Sequence, residues 1–507
     1  MLLQLFPDFS VQTSLVFLLV VLASWFILRE WLMTKNLPPG PKGLVAAIID
    51  NLRNGAAENP MVNISRMRER FKSDICSTTA GWQVAVVLNT FDLIKQAFVK
   101  RDDLADRPPS FILSTLQLGA HKGVLGSNGQ AWKEQRRFTL SVLRDFGMGK
   151  IMIQEKIQEE ATGLLRELEQ YNNKNIDLKL LLTMSVSNII CSIVFGQRYE
   201  YNDDEFRNCL KMVNFSVTKA RLATLATDVF PFLQYLPGDL FHIKKIRKNQ
   251  ETLMEYFHKK INEHKDSLDQ ENIRSFIDAY LVEIEKRMEV DPNTTFTDAQ
   301  LRVVISDLFI AGSETTASTL RFAILFMILN PDIQEKVQAE IDEVIGGERK
   351  PNTADRTKMQ YTEAVLMEIQ RAASIVPFGA PHGNTQQDIE LEGYTIPRKA
   401  IVMSNLYAVH HDKTYWPYPD TFNPKNFLDE KGNVVHNERL IPFLIGRRSC
   451  PGESLAKMEL FIFFTAMLQR FSFSVPEGST PPSSDGILSI TLQPKPHEVH
   501  ISLRSDQ

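Results

Sequence analysis

One cysteine lies in the middle of a short loop in which glycines allow the chain to turn tightly. Gly446 and Gly452 bracket Cys450, and residues 454–470, rich in Leu, Met and Phe, have helical character. Such a loop can point successive amide N–H groups at one sulfur atom, and with the N-terminus of the following helix it favours a thiolate. A thiolate without a second Cys or a His nearby suits an iron whose other ligands come from a porphyrin. The alternative is an ordinary buried cysteine in a reduced protein.

The residues around this cysteine follow a fixed spacing, Phe443-x-x-Gly446-x-Arg448-x-Cys450-x-Gly452. The spacing resembles the haem-binding signature of the cytochrome P450 family at every signature position. The resemblance implies that Cys450 is the axial ligand of the iron of haem b. It also implies a monooxygenase, which inserts one atom of O2 into a lipophilic substrate and releases the other atom as water.

A long apolar helix is predicted to face this loop. Thr297-x-x-Gln300 is a capping-box start, and the apolar pattern of residues 301–329 stops before Asn330-Pro331. Glycine and consecutive polar residues in the middle, at 311–316, predict a local helix defect. This segment resembles the oxygen-activating part of the family's central helix, with Glu314 and Thr315 as an acid–alcohol pair that relays protons. The alternative is a polar stripe where the helix meets solvent.

The resemblance also implies which residues surround the haem and the substrate. Trp132 and Arg136 are spaced i, i+4 and share one helix face; by themselves they are equally consistent with a surface cation–π pair. His382 fits a propionate-binding position of the microsomal family-2 branch, and Ile487 with Leu488 is expected in a turn that closes the pocket. The implied haem-binding residues are Cys450, Trp132, Arg136, His382, Arg448, Arg107, Ala311 and Phe443. The implied substrate-pocket residues are Phe111, Ile112, Leu113, Val124, Leu125, Phe309, Ala311, Val376, Ile487 and Leu488.

Glu368 and Arg371 are spaced i, i+3 on a predicted helix. They resemble the E-x-x-R pair that supports the haem side of the family fold. The sequence departs from the family at residues 422–427, where Lys425 and Asn426 replace a Glu and an Arg. Asparagine cannot form a bidentate ion pair, so the sequence leaves open whether a network joins this loop to Glu368 and Arg371.

Composition narrows the class of protein. The chain has 507 residues, of which 43% are hydrophobic, and this is ample for a large core. A net charge of −4 indicates no nucleic-acid partner. The four cysteines are far apart without a C-x-x-C pair, which argues against a zinc site and a disulfide framework, and we expect them to be reduced.

A charge-free stretch, residues 9–28, is long enough as a helix to cross a bilayer core of ~30 Å. Basic residues follow it and none precedes it, which puts the remainder in the cytosol; a cleaved signal peptide would need a basic n-region. Residues 37–41 are rich in proline and predict a stiff hinge. We therefore expect a membrane anchor (1–34), a hinge (35–45) and one haem-thiolate domain (46–507), in which a mainly α fold carries small β-sheets.

Electrons must come from another protein, because the chain contains no flavin or nicotinamide motif. The resemblance implies an NADPH–cytochrome P450 reductase on the endoplasmic reticulum membrane, with cytochrome b5 as a further candidate. Candidate docking residues are Lys133, Arg137, Arg447 and Lys457. Two other functions stay open, namely a haem-thiolate isomerase or dehydratase, and a protein that binds haem and ligand without turnover. Xenobiotics, steroids, fatty acids and terpenoids all suit the apolar pocket.

Overall fold

The computed structural model describes residues 14–18, 20–21, 24–25, 28, 35–53, 60–80, 83–110, 114–115, 122–147 and 151–504. The fold over these ranges is mainly helical. The α-helices are α1 (Leu44–Arg53), α2 (Pro60–Phe71), α3 (Phe91–Phe98), α4 (Gly129–Asp145), α5 (Ile151–Glu169), α6 (Lys179–Val194), α7 (Asp204–Val229), α8 (Ile243–Asp266), α9 (Phe276–Val290), α10 (Asp298–Leu329), α11 (Pro331–Val344), α12 (Gln360–Ala373), α13 (Leu406–His410) and α14 (Glu453–Arg470). Short 3-10 helices cover Pro231–Tyr235, Thr353–Thr357 and Pro424–Phe427.

Small sheets lie beside the helices. Their strands are β1 (Ile75–Ala80), β2 (Gln83–Leu88), β3 (Lys174–Ile176), β4 (Ile389–Leu391), β5 (Tyr394–Ile396), β6 (Ile401–Ser404), β7 (Phe471–Ser474), β8 (Gly486–Leu488), β9 (Leu492–Pro494) and β10 (Val499–Leu503). The three-stranded sheets have the orders β1-β2-β6 and β3-β10-β7, and the pairs β4-β5 and β8-β9 form two-stranded sheets. β2 runs antiparallel to β1 and parallel to β6, with Ala85 opposite Ile401.

Helix α10 is the central element, and it is buried along most of its length. The Thr297 side chain accepts a hydrogen bond from the Gln300 N–H at 3.2 Å, which confirms the predicted N-terminal cap. The predicted helix defect is absent, because residues 298–329 form one continuous α-helix. Gly312 has another role: a Cβ there would lie 3.1 Å from Cγ1 of Ile190, so glycine allows α10 to pack closely on α6.

The proline-rich segment is bound to the body of the protein. The carbonyls of Pro39 and Pro41 accept hydrogen bonds from the N–H groups of Ser77 and Thr79 in β1, at 2.9 and 3.3 Å. A Cβ at Gly40 would lie 1.7 Å from the Ser77 carbonyl oxygen, so only glycine fits this approach. The segment predicted as a hinge therefore lies along the edge of the first sheet.

Half of the predicted membrane span, residues 9–28, lies outside the described residues. Among the helices that the structure does describe, none is both long enough and apolar enough to cross a bilayer.

Candidate active site

The Cys450 loop is held by its own main chain and by α3. The Cys450 N–H donates to the Phe443 carbonyl at 2.9 Å, and the Ser449 N–H donates to the Gly446 carbonyl at 3.2 Å. Gly446 has φ +88°, and a Cβ there would lie 2.0 Å from the carbonyl oxygen of Phe98 at the end of α3. Glycine is therefore required both by the backbone angle and by the close approach.

Cys450 is the exposed cysteine, whereas Cys76, Cys191 and Cys209 are buried. Protein atoms nevertheless surround the sulfur closely enough that desolvation raises the pKa of its thiol. The nearby main-chain N–H of Gly452 and the charge of Arg136 act in the opposite direction, but they do not outweigh the effect of burial.

Four basic side chains converge next to this loop. Arg448 and Arg107 are held by carbonyl oxygens: Arg448 donates to Ala105 at 2.7 Å and to Ser127 at 2.6 Å, and Arg107 donates to Pro381 at 2.6 Å. His382 lies beside Arg107, with its Nδ1 3.3 Å from that guanidinium and 2.8 Å from the carbonyl oxygen of Ala380. Arg136 on α4 donates to the carbonyl of Ser449 at 2.7 Å.

The three arginines, Arg107, Arg136 and Arg448, are called the cation cluster below; His382 beside them is uncharged, because desolvation and the charge of Arg107 lower the pKa of its ring well below the ordinary value. No salt bridge within the described ranges includes any of its three arginines. Desolvation and repulsion between neighbours lower the pKa of Arg448 to about 8 and that of Arg107 to about 10. The charge of Asp106 acts on Arg448 from a distance, while the hydrogen bonds of this carboxylate go to Thr385. The cation cluster therefore has no carboxylate in direct contact within the described ranges.

Trp132 packs against Arg448 of this cluster. The Arg448 guanidinium is 3.9 Å from the centre of the indole ring, a cation–π contact, and the indole is 5% exposed. Its Nε1–H is buried without a hydrogen-bond partner in the described chain. A buried donor and several uncompensated cations are the groups that a ligand with carboxylates would satisfy, so these residues fit the propionates of a haem.

The acid and the alcohol of α10 face different surroundings. Thr315 is partly exposed and Ala311, one turn earlier, is exposed; the Thr315 hydroxyl donates to the Ala311 carbonyl at 2.8 Å. Glu314 is buried and accepts a hydrogen bond from the Ser318 hydroxyl at 2.9 Å. Desolvation raises the pKa of Glu314, while Lys179 and Arg321 act to lower it. The described side chains of Glu314 and Thr315 are therefore not hydrogen-bonded to each other.

The predicted pocket residues are only partly brought together. Phe309 is wrongly assigned to the pocket: it is fully buried against the rings of Phe195, Phe206 and Phe257 on another face of α10. Leu125 is exposed and Val124 is buried. Phe111, Ile112 and Leu113 lie outside the described residues.

The prediction that Ile487 and Leu488 lie in a turn is wrong. They lie in strand β8, where they pair with Gln493 and Leu492 of β9. The Leu492 N–H donates to the Ile375 carbonyl at 2.7 Å, so this hairpin lies next to the partly buried Val376. The tip of the hairpin reaches α7, where the Ser489 hydroxyl donates to the Val217 carbonyl. The hairpin thus connects the segment after α12, which carries Val376, to α7.

Glu368 and Arg371 form a fully buried bidentate pair, with both N–O distances 2.7 Å. Arg371 also donates to the carbonyls of His410 and Pro419, at 2.7 and 2.9 Å. Asn426 donates to both oxygens of Glu368, at 3.2 and 3.1 Å. The network that the sequence left open is therefore present, with an amide in the place of the family arginine.

The candidate docking cations lie at the surface. Lys133 and Arg137 are exposed on α4, each directly after Trp132 or Arg136 and about 100° further around the helix. Arg447 pairs with Asp102 at 2.6 Å, and Lys457 pairs with Glu453 at 2.7 Å. The Lys457 ammonium also lies 5.6 Å from the ring centre of Phe443 in the Cys450 loop.

Two residues that the sequence analysis missed organise the site. Asn128 precedes α4, where its side chain would be expected to cap the helix, but it instead accepts from the Arg107 N–H at 2.7 Å and from Arg448 at 3.2 Å. Asp307 of α10 accepts from the N–H groups of Val124 and Leu125, each at 2.8 Å. An Asp within an apolar helical run was the available signal for the second residue.

A cysteine in a loop beside buried arginines that have no ion pair suits a haem bound through a thiolate. The family model for Cytochrome P450 matches residues 38–501. The chain is 39% identical to Cytochrome P450 2D4 of Rattus norvegicus over 481 residues, which cover 94% of each chain. It is 38% identical to Cytochrome P450 2U1 of Homo sapiens over 451 residues, covering 88% of this chain and 81% of the relative.

This protein belongs to the cytochrome P450 family, and it is therefore an oxidoreductase of the haem monooxygenase class. Its relatives named above carry family-2 names, in agreement with the branch expected from His382.

Proposed function

We propose that this protein binds haem b through Cys450 and inserts one oxygen atom from O2 into a lipophilic small molecule, such as a xenobiotic, steroid, fatty acid or terpenoid. The observation that carries the proposal is the cation cluster beside Cys450. Arg107, Arg136 and Arg448 are held in place by carbonyl oxygens yet lack carboxylate partners in the described chain. They would hold the haem propionates, and Trp132 would donate its unpartnered N–H there. Ala311 and Phe443 would lie against the macrocycle.

The same proposal includes a partner and a membrane. NADPH–cytochrome P450 reductase would supply electrons, with cytochrome b5 as a further candidate, because the chain has no flavin or nicotinamide motif of its own. The exposed cations Lys133 and Arg137 on α4 and Arg447 in the Cys450 loop support a docking face formed by this helix and this loop. The charge-free residues 9–28 support an anchor (1–34) in the endoplasmic reticulum membrane, with segment 35–45 and the domain 46–507 in the cytosol.

Two residues of α10, Thr315 and Glu314, would bind water and transfer protons next to the bound substrate. A thiolate-bound haem supplies a centre at which O2 can be reduced and its O–O bond cleaved. The Thr315 hydroxyl points from the partly exposed face of α10, where it can hold a water molecule in place of its bond to Ala311. Glu314 is buried and bonded to Ser318, so a change of side-chain rotamer would be needed before it could pass a proton toward Thr315.

The first test replaces the proposed iron ligand. Cys450→His should abolish the thiolate-type Soret band of the reduced, CO-bound protein, because imidazole is a neutral ligand. Cys209→Ala is the matched control, since Cys209 is a buried thiol on α7. A Cys450→His protein that retains the thiolate-type band would remove Cys450, and the proposed function with it.

The second test concerns proton supply. Thr315→Ala should lower the ratio of product formed to NADPH oxidised and raise hydrogen peroxide, because reduced oxygen would escape before the O–O bond breaks. Groups of this kind contribute roughly 10²–10⁴-fold, and a replacement water would reduce the loss. Thr319→Ala is the control: Thr319 makes the same bond to the carbonyl four residues earlier, at 2.9 Å, but is buried one turn further along α10. An unchanged ratio in Thr315→Ala would exclude Thr315 from proton delivery.

A further inference from the structure

A fully buried histidine connects the Glu368–Arg371 pair to the start of the Cys450 loop. His410 ends α13, and its side chain is 0% exposed. The imidazole lies between two main-chain segments: Ile441, which leads into the loop, and Ser374, which follows α12 with φ 40°. No motif considered in the sequence analysis includes this residue.

Three hydrogen bonds in series connect Ile441 to Arg371, and the first two involve the imidazole ring of His410. The Ile441 N–H donates to Nε2 of His410 at 3.1 Å. Because a main-chain N–H can only donate, Nε2 must carry the lone pair and the ring proton must sit on Nδ1. Nδ1–H then donates to the Ser374 hydroxyl at 2.9 Å, which donates in turn to the Arg371 carbonyl at 2.7 Å.

His410 contacts the main chain at Ile441, where the chain turns into the Cys450 loop. The Ile441 carbonyl accepts from the Leu444 N–H at 2.9 Å, and Leu444 has φ 59°, so the turn into the loop begins here. One residue earlier in that turn, the Phe443 carbonyl accepts from the Cys450 N–H at 2.9 Å. Movement of Ile441 would therefore be transmitted to the main-chain bond that places Cys450.

We propose that His410 is a positioning residue for the Cys450 loop: its Nε2 fixes the main chain at Ile441, and its Nδ1–H is held by Ser374 on the Arg371 segment. This inference rests on the proposed role of Cys450 as haem ligand. An imidazole suits the task because it is rigid and presents an acceptor and a donor on opposite edges. Burial and the nearby His411 and Arg371 keep the ring neutral by lowering its pKa well below the ordinary value, so that the acceptor is preserved.

The test uses two amides that each replace half of the ring. In His410→Gln the side-chain oxygen can reach the position of Nε2 and accept from Ile441. In His410→Asn the shorter side chain occupies the position of Nδ1 and keeps only the Ser374 contact. The measurement on each holoprotein is the fraction of thiolate-type spectrum in the reduced CO complex, at equal haem content, together with the midpoint of thermal unfolding.

The Gln variant should keep the wild-type fraction within about twofold, and the Asn variant should lower the ratio of thiolate-type to thiol-type complex by about tenfold, the effect of one unmade hydrogen bond to a buried N–H. His411→Gln is the control, because the Nδ1 of His411 lies 2.9 Å from the Tyr407 carbonyl and this contact is within α13 and its cap. Its fraction should remain that of the wild type.

Equal loss in the Asn and Gln variants, or a loss that follows the thermal midpoints alone, would overturn the positioning role. If the Asn variant does not fold, Ser374→Ala replaces it: losing the bond that orients the ring should lower the ratio by about threefold, and an unchanged ratio would overturn the inference. A wild-type protein without any thiolate-type band would instead contradict the proposed function itself, so the two failures are distinguishable.

Discussion

Two buried arginines, Arg371 and Arg448, have opposite kinds of partners. Arg371 is fully buried and is neutralised by Glu368, with Asn426 completing the hydrogen bonds of that carboxylate. Arg448 is 6% exposed and has carbonyl oxygens, Asn128 and the Trp132 ring around it, without a salt bridge in the described chain. A buried charge that the chain itself neutralises serves the fold, whereas one left without counter-charge indicates a ligand that brings it.

The strongest way to break this comparison is to remove the neutralised arginine. Arg371→Leu leaves the Glu368 carboxylate buried without a cation, and it should lower the free energy of unfolding by about 3–5 kcal/mol. The loss should appear in both the haem-free and the haem-loaded protein, because no ligand replaces the guanidinium. Chemical denaturation of both forms measures it.

Arg470→Leu is the matched control for Arg371→Leu. Arg470 pairs with Glu169 at 3.2 Å, but both side chains are about half exposed, at 48% and 42%. Its removal should cost below about 1 kcal/mol, as for other surface pairs. Similar losses in the two variants would show that burial does not set the value of the Glu368–Arg371 pair.

Glu459 extends the comparison to a buried acid that has no cation. It lies on α14 and is 3% exposed; desolvation raises its pKa to about 8 from an ordinary value near 4.5, although the nearby Thr316 side chain acts to lower it. Between these pH values the folded protein binds a proton that the unfolded chain has lost. This proton contributes stability that is fully present below pH 4.5 and is lost as pH rises to about 8.

Glu459→Gln removes this titration. The stability of the variant relative to wild type should rise between about pH 5.5 and 8, by at most ~1.4 kcal/mol per pH unit, and should level off above pH 8. Unfolding curves across this range provide the measurement, with the exposed Glu477→Gln as control. A difference that does not change with pH would show that Glu459 is ionised in the fold.

Local patterns made the loop and α10 predictable. Gly446 before Cys450 and the cap at Thr297 depend on neighbours within a few residues, and the structure has both as the pattern indicates. Gly452 differs, because its φ of −95° is accessible to any residue. The face of α10 was not predictable, because a helix that is apolar on all sides has no distinguishable buried stripe. Phe309 was therefore assigned to the pocket although it lies in the core.

Contacts between distant segments account for the other differences. Asn426 donates to Glu368 across 58 residues, and Asn128 contacts Arg448 across 320 residues. Neither partner can be inferred from spacing along the chain. The strands of β8 and β9 are three residues each, too short to show the alternation that predicts a strand.

The smallest expected effect sharpens the comparison most, because it separates ligand binding from folding. Arg136→Gln removes one member of the cation cluster whose hydrogen bonds go to Ser449 alone. The haem-free protein should keep its unfolding free energy within about 0.5 kcal/mol, because no neutralising partner is left behind. The rate of haem transfer to a haem-scavenging protein should rise about tenfold, the effect of one charge-assisted hydrogen bond.

Arg137→Gln provides the control on the same helix, since Arg137 is exposed and points away from Arg136 by about 100° around α4, and it should affect neither measurement. If replacing Arg136 destabilised the haem-free protein and left haem transfer unchanged, Arg136 would stabilise the fold, as Arg371 does. The cation cluster would then be part of the fold rather than of a ligand site. Increased haem transfer at constant stability is the opposite result, and it is expected only where the ligand brings the missing negative charge.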